Sequence, residues 1–416
     1  METVALKKLD RFVKTLTPTT IALPKELLEL AKALLEQKDF PTTRDEAWKY
    51  TRVGKIAAIE PSAEISSVSE SLWQPYLNEN SSAIVVLVNG RISYIHTESP
   101  DGLIITPFSE GTDFQHAAIS ETANDVFDAL NLVYLNDGIS LKVSKHSVIQ
   151  KPVQLIHLIT GAQTVHHSRI YITLEAHSKL EVIQRFISVG ADTNHANNHT
   201  AVHLSEGANL EIHKIQTALK SSFLISRETV DQASNSTFTL HTHTNDSLFV
   251  RNDTMVKVKG TNAETNLFGS YLLKGDEHVD NHTCIDHLAP HCLSNELYKG
   301  VIGDKATAVF NGKVFVRQNA QKINAFQSNA NVLTSDLASV NSKPELEIYA
   351  DDVKCSHGST TGQLDEEAIF YLRARGISEK AAKDLLIQAF LDDVFTKTEN
   401  TEVQDLLQFA VSEYFG

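Results

Sequence analysis

The spacing of apolar residues divides the chain into three regions, and the first of them is helical. Residues 1–60 carry apolar side chains three and four positions apart, most clearly over 27–35. This spacing is typical of an amphipathic helix. Thr43 and Glu46 stand three residues apart in the pattern of a capping box, so they predict the start of a further short helix.

From about residue 83 the apolar spacing changes to the twofold alternation of β-strands. Residues 84–94 predict two strands joined at Asn89 and Gly90, because Asn-Gly favours the tight turn of a hairpin. The stretch 115–137 predicts a helix that closes this small α/β unit.

Residues 138–357 consist of short strands with almost no helical spacing. Turns rich in Gly, Asn and Ser separate the strands at intervals of about 8–12 residues, and a sandwich, a barrel and a β-helix all fit such intervals. The length of the region and its polar, Asn-rich connections favour the β-helix. We therefore expect a mainly β fold in which a parallel β-helix core is flanked by helical regions.

The last region returns to helical spacing. Gly376 predicts the left-handed end of a first helix, and Ser378 the N-cap of a second. A third helix is expected to begin at Thr401, with Gln404 completing a capping box. The apolar face expected on the second helix comprises Ala382, Leu385, Leu386, Ala389, Phe390 and Val394. Such faces pack against each other and the β-core, or one of them docks a partner protein.

These patterns give three expected domains. They are an N-terminal helical region with a small α/β unit (1–137), a β-helix core (138–357) and a C-terminal helical domain (358–416).

Composition and charge exclude several classes of function. The chain has 416 residues, 42% hydrophobic and 21% charged, as in soluble globular proteins, and a net charge of -15. That charge argues against nucleic-acid and anionic membrane surfaces, which need basic patches. Three cysteines are too few for a disulfide framework, and the N-terminus lacks the apolar run of a signal peptide. We expect a cytoplasmic protein.

The strongest candidate for site chemistry is the pair Cys355 and His357. Their spacing on a strand puts both side chains on one face, about 6–7 Å apart. A thiolate and an imidazole can ligate iron or the edge of an iron–sulfur cluster. Two ligands do not complete a four-ligand site, so the remaining ligands would have to come from elsewhere.

A second group of possible metal ligands lies over 282–292. It comprises His282, Cys284, His287, His291 and Cys292. Their spacing fits no standard zinc pattern. A polar strand face with scattered histidines explains the group without a metal, although a self-contained metalloprotein remains an alternative.

Motifs of the common enzyme classes are mostly missing. The sequence has no phosphate-binding Gly-x₄-Gly-Lys-Ser/Thr loop, no dinucleotide-binding glycine motif and no Gly-x-Ser-x-Gly elbow. A carbohydrate-active β-helix enzyme is a further alternative, and it would carry an acidic cleft.

Several motifs resemble those of the SufB/SufD family of iron–sulfur cluster assembly scaffolds. The run from Asp351 to Gly358 and the run from Gly362 to Ile377 resemble the C-terminal motif of the family, and the run from Pro41 to Thr51 resembles its N-terminal motif. Length and the absence of a cysteine-rich N-terminal stretch favour the SufD-like branch.

The resemblance implies a right-handed parallel β-helix and a non-catalytic scaffold that works with a SufB-like scaffold and a SufC-like ABC ATPase. It implies that Cys355 and His357 hold a transient iron–sulfur cluster at the interface with the SufB-like subunit, that no cofactor is tightly bound to the isolated chain, and that the complex aids iron acquisition. An isolated chain would pair with itself as a homodimer. The C-terminal helices would dock the ATPase, and the residues expected at this contact are Phe370, Leu372, Leu385, Leu386 and Phe390.

Overall fold

The computed structural model describes residues 7–62, 68–110, 123–190 and 193–414. Within these residues the chain is mainly β, with helices at both ends, as the sequence predicts. The helix expected over 115–137 forms as Val126–Val133, and residues 111–122 lie outside the described part.

The strands follow one another with short connections. In chain order they are β1 (Ala83–Val88), β2 (Arg91–Thr97), β3 (Leu103–Pro107), β4 (Asp137–Val143), β5 (Val153–Thr160), β6 (Val165–Leu174), β7 (Lys179–Val189), β8 (Asn194–Leu204), β9 (Asn209–Gln216), β10 (Leu219–Gln232), β11 (Thr237–Asn245), β12 (Ser247–Val258), β13 (Glu264–Leu273), β14 (His278–His287), β15 (Leu293–Ile302), β16 (Thr307–Val316), β17 (Asn324–Leu333), β18 (Ser339–Ile348) and β19 (Lys354–Gln363).

The described strands form two sheets whose order identifies a parallel β-solenoid. Sheet A has the order β19-β17-β15-β13-β11-β9-β7-β5-β1-β2, and sheet B has the order β18-β16-β14-β12-β10-β8-β6-β4-β3. From β4 onward the chain alternates between the sheets, and each strand pairs in parallel with the strand two places away. Antiparallel β2 and β3 close one end. At the other end, β18 and β19 each have a single neighbour.

The main core lies between the two sheets, where equivalent positions of successive turns stack. Leu240 of β11 pairs with Leu267 of β13, and both are completely buried in this core. Burying one such side chain contributes about 1.5–3 kcal/mol. The alternation of each strand therefore assigns one set of side chains to the interior and the next to the outer face.

The N-terminal helices cover the outer face of sheet B. They are α1 (Lys8–Val13), α2 (Lys25–Gln37), α3 (Gly54–Ala57) and α4 (Val126–Val133). Arg251 of β12 stacks on the Trp48 ring at 3.8 Å and donates to the Ala47 carbonyl, which attaches the predicted N-terminal motif to the sheet. The expected capping box at Thr43 is wrong: the segment from Glu46 to Trp48 is a 3₁₀ turn preceded by Asp45.

The C-terminal helices α5 (Glu366–Arg373), α6 (Glu379–Phe395) and α7 (Thr401–Ser412) follow the last strand. Helices α6 and α7 pack on the outer face of sheet A. Gly376 has the predicted left-handed conformation (φ 87°), and the Ser378 side chain accepts from the Ala381 N–H as predicted. Helix α7 begins at Thr401 as expected, but its N-cap is Asn400.

The buried face of α6 differs from the face expected from the sequence. Its buried residues are Ala382, Ile387, Leu391, Val394 and Phe395. Leu385 of the expected stripe is 48% exposed. The face of α6 that packs on sheet A is therefore rotated about the helix axis relative to the expected face.

The strands extend past both ends of the expected core, 138–357. β1 pairs in parallel with β5, so the hairpin of β1 and β2, joined at Asn89 and Gly90 as predicted, continues sheet A. β19 continues to Gln363.

Candidate functional site

Cys355 and His357 lie on β19, the last strand of the solenoid. Cys355 pairs with Ala325 of β17, and His357 pairs with Gln327. Ala325 is buried in the core between the sheets, so both site residues belong to columns of side chains that face the interior. The structure thus confirms that the two side chains share a face and places them at the open end of the solenoid.

The two residues differ in exposure. Cys355 is half-buried against the core, and this burial raises the pKa of its thiol. His357 is exposed, because β19 is the last strand of its sheet among the described residues. A thiol with a raised pKa is mostly protonated at neutral pH and becomes a strong ligand when a metal ion displaces its proton.

The interior column that ends at His357 becomes polar towards the open end. Leu240 and Leu267 occupy its earlier positions, followed by Glu296, Gln327 and His357. Gln327 Nε2 donates to Glu296 Oε2 at 2.6 Å, and burial raises the pKa of Glu296 to about 7. Buried polar groups are stable only when they are hydrogen-bonded. The hydrogen-bonded pair of Glu296 and Gln327 therefore lies directly before His357 in this column.

Strand β19 also presents an unpaired edge. Lys354 donates its N–H to the Ile323 carbonyl on the β17 side. Because backbone groups alternate along a strand, the N–H groups of Cys355, His357 and Ser359 point to the other, open side. A flat, exposed strand edge readily pairs with a strand of another chain.

The five residues expected to dock a partner do not form one exposed face. Phe370 of α5 is 74% exposed and Leu385 of α6 is 48% exposed. Leu372 and Leu386 are half-buried. Phe390 packs on the cluster that joins α6 to sheet A, where Lys299 lies 4.8 Å from its ring centre. Phe370 and Leu385 therefore remain the members available for contact.

The metal group expected as an alternative over 282–292 is wrong as a single site. His282 and Cys284 face outward from β14, and burial raises the pKa of the Cys284 thiol to about 12. His287 faces the interior, where Nε2 contacts Ser294 Oγ at 3.0 Å. Cys292 Sγ contacts the Gly260 carbonyl at 3.3 Å within the core. The sheet separates these side chains, so they cannot share one ion.

A cleft of about 580 Å³ lies on the outer face of sheet B, beside the N-terminal region. Its lining includes Arg227, Lys257 and Lys313 as well as Asp253 and Glu345. The mixture of charges differs from the acidic cleft that a carbohydrate-active enzyme would carry.

A further cluster, on the outer face of sheet A, was not apparent from the sequence. Glu211, His213 and His241 each offer one potential ligand atom, and these atoms lie within 4.8 Å of one another. The available signal was a histidine on each of two successive strands of one sheet, but their proximity depends on strand register.

Comparisons with known proteins agree with the resemblance in the motifs. Residues 157–390 match the family model "SUF system FeS cluster assembly, SufBD core domain", and residues 14–155 match "SufBD protein N-terminal region". This chain belongs to the SufBD family. Its role accordingly lies in iron–sulfur cluster assembly.

Curated relatives of the SufBD chain include proteins from bacteria and a plant. It is 28% identical to the iron–sulfur cluster assembly protein SufD of Escherichia coli, over 84% of this chain and 83% of the relative. It is 27% identical to an iron–sulfur cluster assembly SufBD family protein of Synechocystis, over 92% and 89%. It is 28% identical to protein ABCI7, chloroplastic, of Arabidopsis thaliana, over 88% and 81%.

Within the described residues, no helix is both long and apolar enough to cross a membrane.

Proposed function

We propose that this chain is a SufD-like, non-catalytic scaffold subunit of a complex that assembles and transfers iron–sulfur clusters and aids iron acquisition. The proposal rests on one observation: β19 has an unpaired edge, and the same strand carries Cys355 and His357. The other subunits are a SufB-like scaffold and a SufC-like ABC ATPase, and the compartment is the cytoplasm.

The incomplete ligand set supports a transient cluster. Clusters held by four cysteine thiolates of one chain are stable. Cys355 and His357 supply two ligands, and a SufB-like partner would supply the others. A cluster shared across an interface can be released when the interface shifts between two arrangements. The nascent cluster is thus the cargo of the complex.

The ligand role of His357 can be tested in the full complex. We expect His357→Ala to lower the amount of cluster assembled, because it removes one of the two ligands on this strand. The matched control is His96→Ala, which changes an exposed histidine on β2 at the opposite edge of sheet A. An unchanged cluster yield in His357→Ala would remove this residue from the mechanism.

The pairing role of the β19 edge can be tested with proline. Ser359→Pro removes an N–H group on the open side and leaves the bonds to β17 in place. Ser359→Ala is the matched control, because both variants lose the 2.8 Å hydroxyl contact with Ser342. We expect the proline variant alone to lose association with the SufB-like subunit, and self-association as a homodimer, in size-exclusion chromatography with light scattering. Equal association of both variants would contradict edge pairing.

The C-terminal helices are the proposed docking surface for the ATPase, because Phe370 and Leu385 remain exposed on them. We expect Phe370→Asp to weaken co-purification with the ATPase subunit. Leu30→Asp, at a residue of α2 that is 48% exposed, is the control for the insertion of a surface charge. Equal recovery of the ATPase with Phe370→Asp and with the parent chain would exclude Phe370 from the contact.

A further inference from the structure

Four side chains on the outer face of sheet A form a compact group away from the cluster-binding site. Glu181 of β7 pairs with Glu211 of β9, and His213 of β9 pairs with His241 of β11. Leu210 and the other core residues of β9 face inward, so Glu211 and His213 face outward. Strand register alone therefore brings two carboxylates and two imidazoles together.

The contacts within this group match the edges of a metal coordination polyhedron. His213 Nε2 lies 3.1 Å from Glu181 Oε1 and 3.4 Å from Glu211 Oε1. His241 Nε2 lies 3.0 Å from the same Glu211 oxygen. Around a tetrahedral zinc ion with bonds of about 2.0–2.1 Å, ligand atoms are separated by about 3.3 Å. Glu211, His213 and His241 would need only small adjustments to bind one ion, whereas the Glu181 side chain would have to move further to become the fourth ligand.

The pKa shifts of Glu181, Glu211 and His241 favour the protonation states of metal ligands. Burial lowers the pKa of His241, which favours the neutral imidazole. The hydrogen bond from His213 lowers the pKa of Glu181. Burial opposes ionisation of Glu211, but the hydrogen bond with His241 and the nearby His213 lower the pKa of this carboxyl group. Metal binding requires neutral imidazoles and ionised carboxylates.

The two imidazoles are preorganised but incompletely satisfied. Both side chains have no exposed surface, and their rings stack at 4.7 Å. Their Nδ1 atoms are buried without a hydrogen-bond partner within the described residues. The Nε2 atoms, which contact the carboxylates, are the atoms that would bind the ion, and each Nδ1 would then carry the ring proton.

We propose that Glu181, Glu211, His213 and His241 bind one divalent first-row transition metal, such as Zn²⁺ or Fe²⁺. Two nitrogen and two oxygen ligands suit this class of ion. The site is separate from Cys355 and His357, and the proposal does not depend on the function proposed above.

The site connects to the C-terminal helices through Asn400. Asn400 Nδ2 donates to Glu181 Oε1 at 2.6 Å, while its Oδ1 accepts the Val403 N–H and caps α7. A metal that fixes Glu181 would therefore also fix the start of α7 on sheet A. The bound ion would strengthen the attachment of the helices on which the ATPase surface is proposed to lie.

The test is titration of the chelator-treated full chain with Co²⁺, followed by its visible absorption. We expect one equivalent to bind with d–d bands and without the near-ultraviolet absorption of a thiolate ligand. His241→Asn and Glu211→Gln should each weaken Co²⁺ binding at least about 100-fold. This exceeds the usual effect of replacing a residue that only hydrogen-bonds to a metal ligand. His287→Asn, at another completely buried histidine, and Cys355→Ser should retain it. Absence of stoichiometric Co²⁺ binding by the folded parent chain would overturn the proposal, as would unchanged affinity in His241→Asn.

A second measurement needs no variant. Hydrogen exchange of the amides in α7 should slow severalfold when Zn²⁺ is added to the parent chain, because the ion fixes Glu181 and with it Asn400. The amides of α2, on the other sheet, serve as the internal control. Equal exchange in α7 with and without Zn²⁺ would overturn the proposed connection to the helices.

Discussion

Replacement of Glu296 by glutamine should stabilise the protein in a strongly pH-dependent way. The carboxyl group is buried in the solenoid interior, where it accepts hydrogen bonds from Thr283 and Gln327. Burial raises the pKa of Glu296 from 4.5 to about 7. At about 1.4 kcal/mol per pKa unit, ionisation of this group in the folded chain costs about 3 kcal/mol.

The sign of the effect follows from proton binding. Between pH 4.5 and about pH 7 the folded state holds a proton on Glu296 that the unfolded state releases, so stability falls as the pH rises through this window. Glutamine has no proton to lose. It keeps the hydrogen bond from Thr283, and a flipped Gln327 amide can turn its Oε1, which lacks a partner within the described residues, towards the new NH₂ group.

The assay is urea denaturation of the parent chain and Glu296→Gln at pH 5 and pH 8.5. We expect the variant to gain about 3 kcal/mol at pH 8.5 and only about 1 kcal/mol at pH 5. Glu36→Gln, at an exposed position of α2, is the control and should change stability little at either pH. An equal gain for Glu296→Gln at both pH values would refute the argument from the pKa.

Three further substitutions test other features of the fold. Lys214→Met should destabilise by about 3–5 kcal/mol in urea denaturation, because it leaves Glu228 buried without its 2.7 Å partner, and adding Glu228→Leu should restore part of the loss. Gly269→Ala should cost about 1–3 kcal/mol and lower the melting temperature, since its Cβ would lie 2.2 Å from a ring carbon of Tyr298. Ser378→Ala should cost about 1 kcal/mol through the lost N-cap of α6, measured as a reduced melting temperature, and Ser378→Asp should retain the cap.

Local features of the fold could be predicted from the sequence because they depend on neighbouring residues. The turn of the hairpin has positive φ at both Asn89 and Gly90, and Asn-Gly is the dipeptide that tolerates this best. The end of the helix at Gly376 likewise needs a residue that tolerates positive φ. The N-cap of α7, in contrast, could not be predicted from neighbouring residues alone. Asn400 and Thr401 are adjacent and both suit an N-cap, and the contact between Asn400 and Glu181 favours the first of them.

Features that depend on strand register could not be predicted. His213 and His241 are 28 positions apart, and their contact follows from the number of residues in one turn of the solenoid. The same limit applies to the group over 282–292. Strand alternation separates His282 from His287, but assigning the inward face requires the neighbouring strands.

Because β19 carries both the unpaired edge and the proposed ligands, the register in which a partner strand pairs with it would decide whether the proposed cluster site is completed. One association with a partner strand would both satisfy the open N–H groups and bring the missing ligands to Cys355 and His357. A slip of one residue turns every side chain of a strand to its opposite face. A partner paired out of register would therefore still cover the edge, but would direct its ligands away from the interior column that contains Gln327 and His357. We therefore expect binding of the proposed partner and assembly of the cluster to be separable, and a variant that shifts register should lose the second while keeping the first.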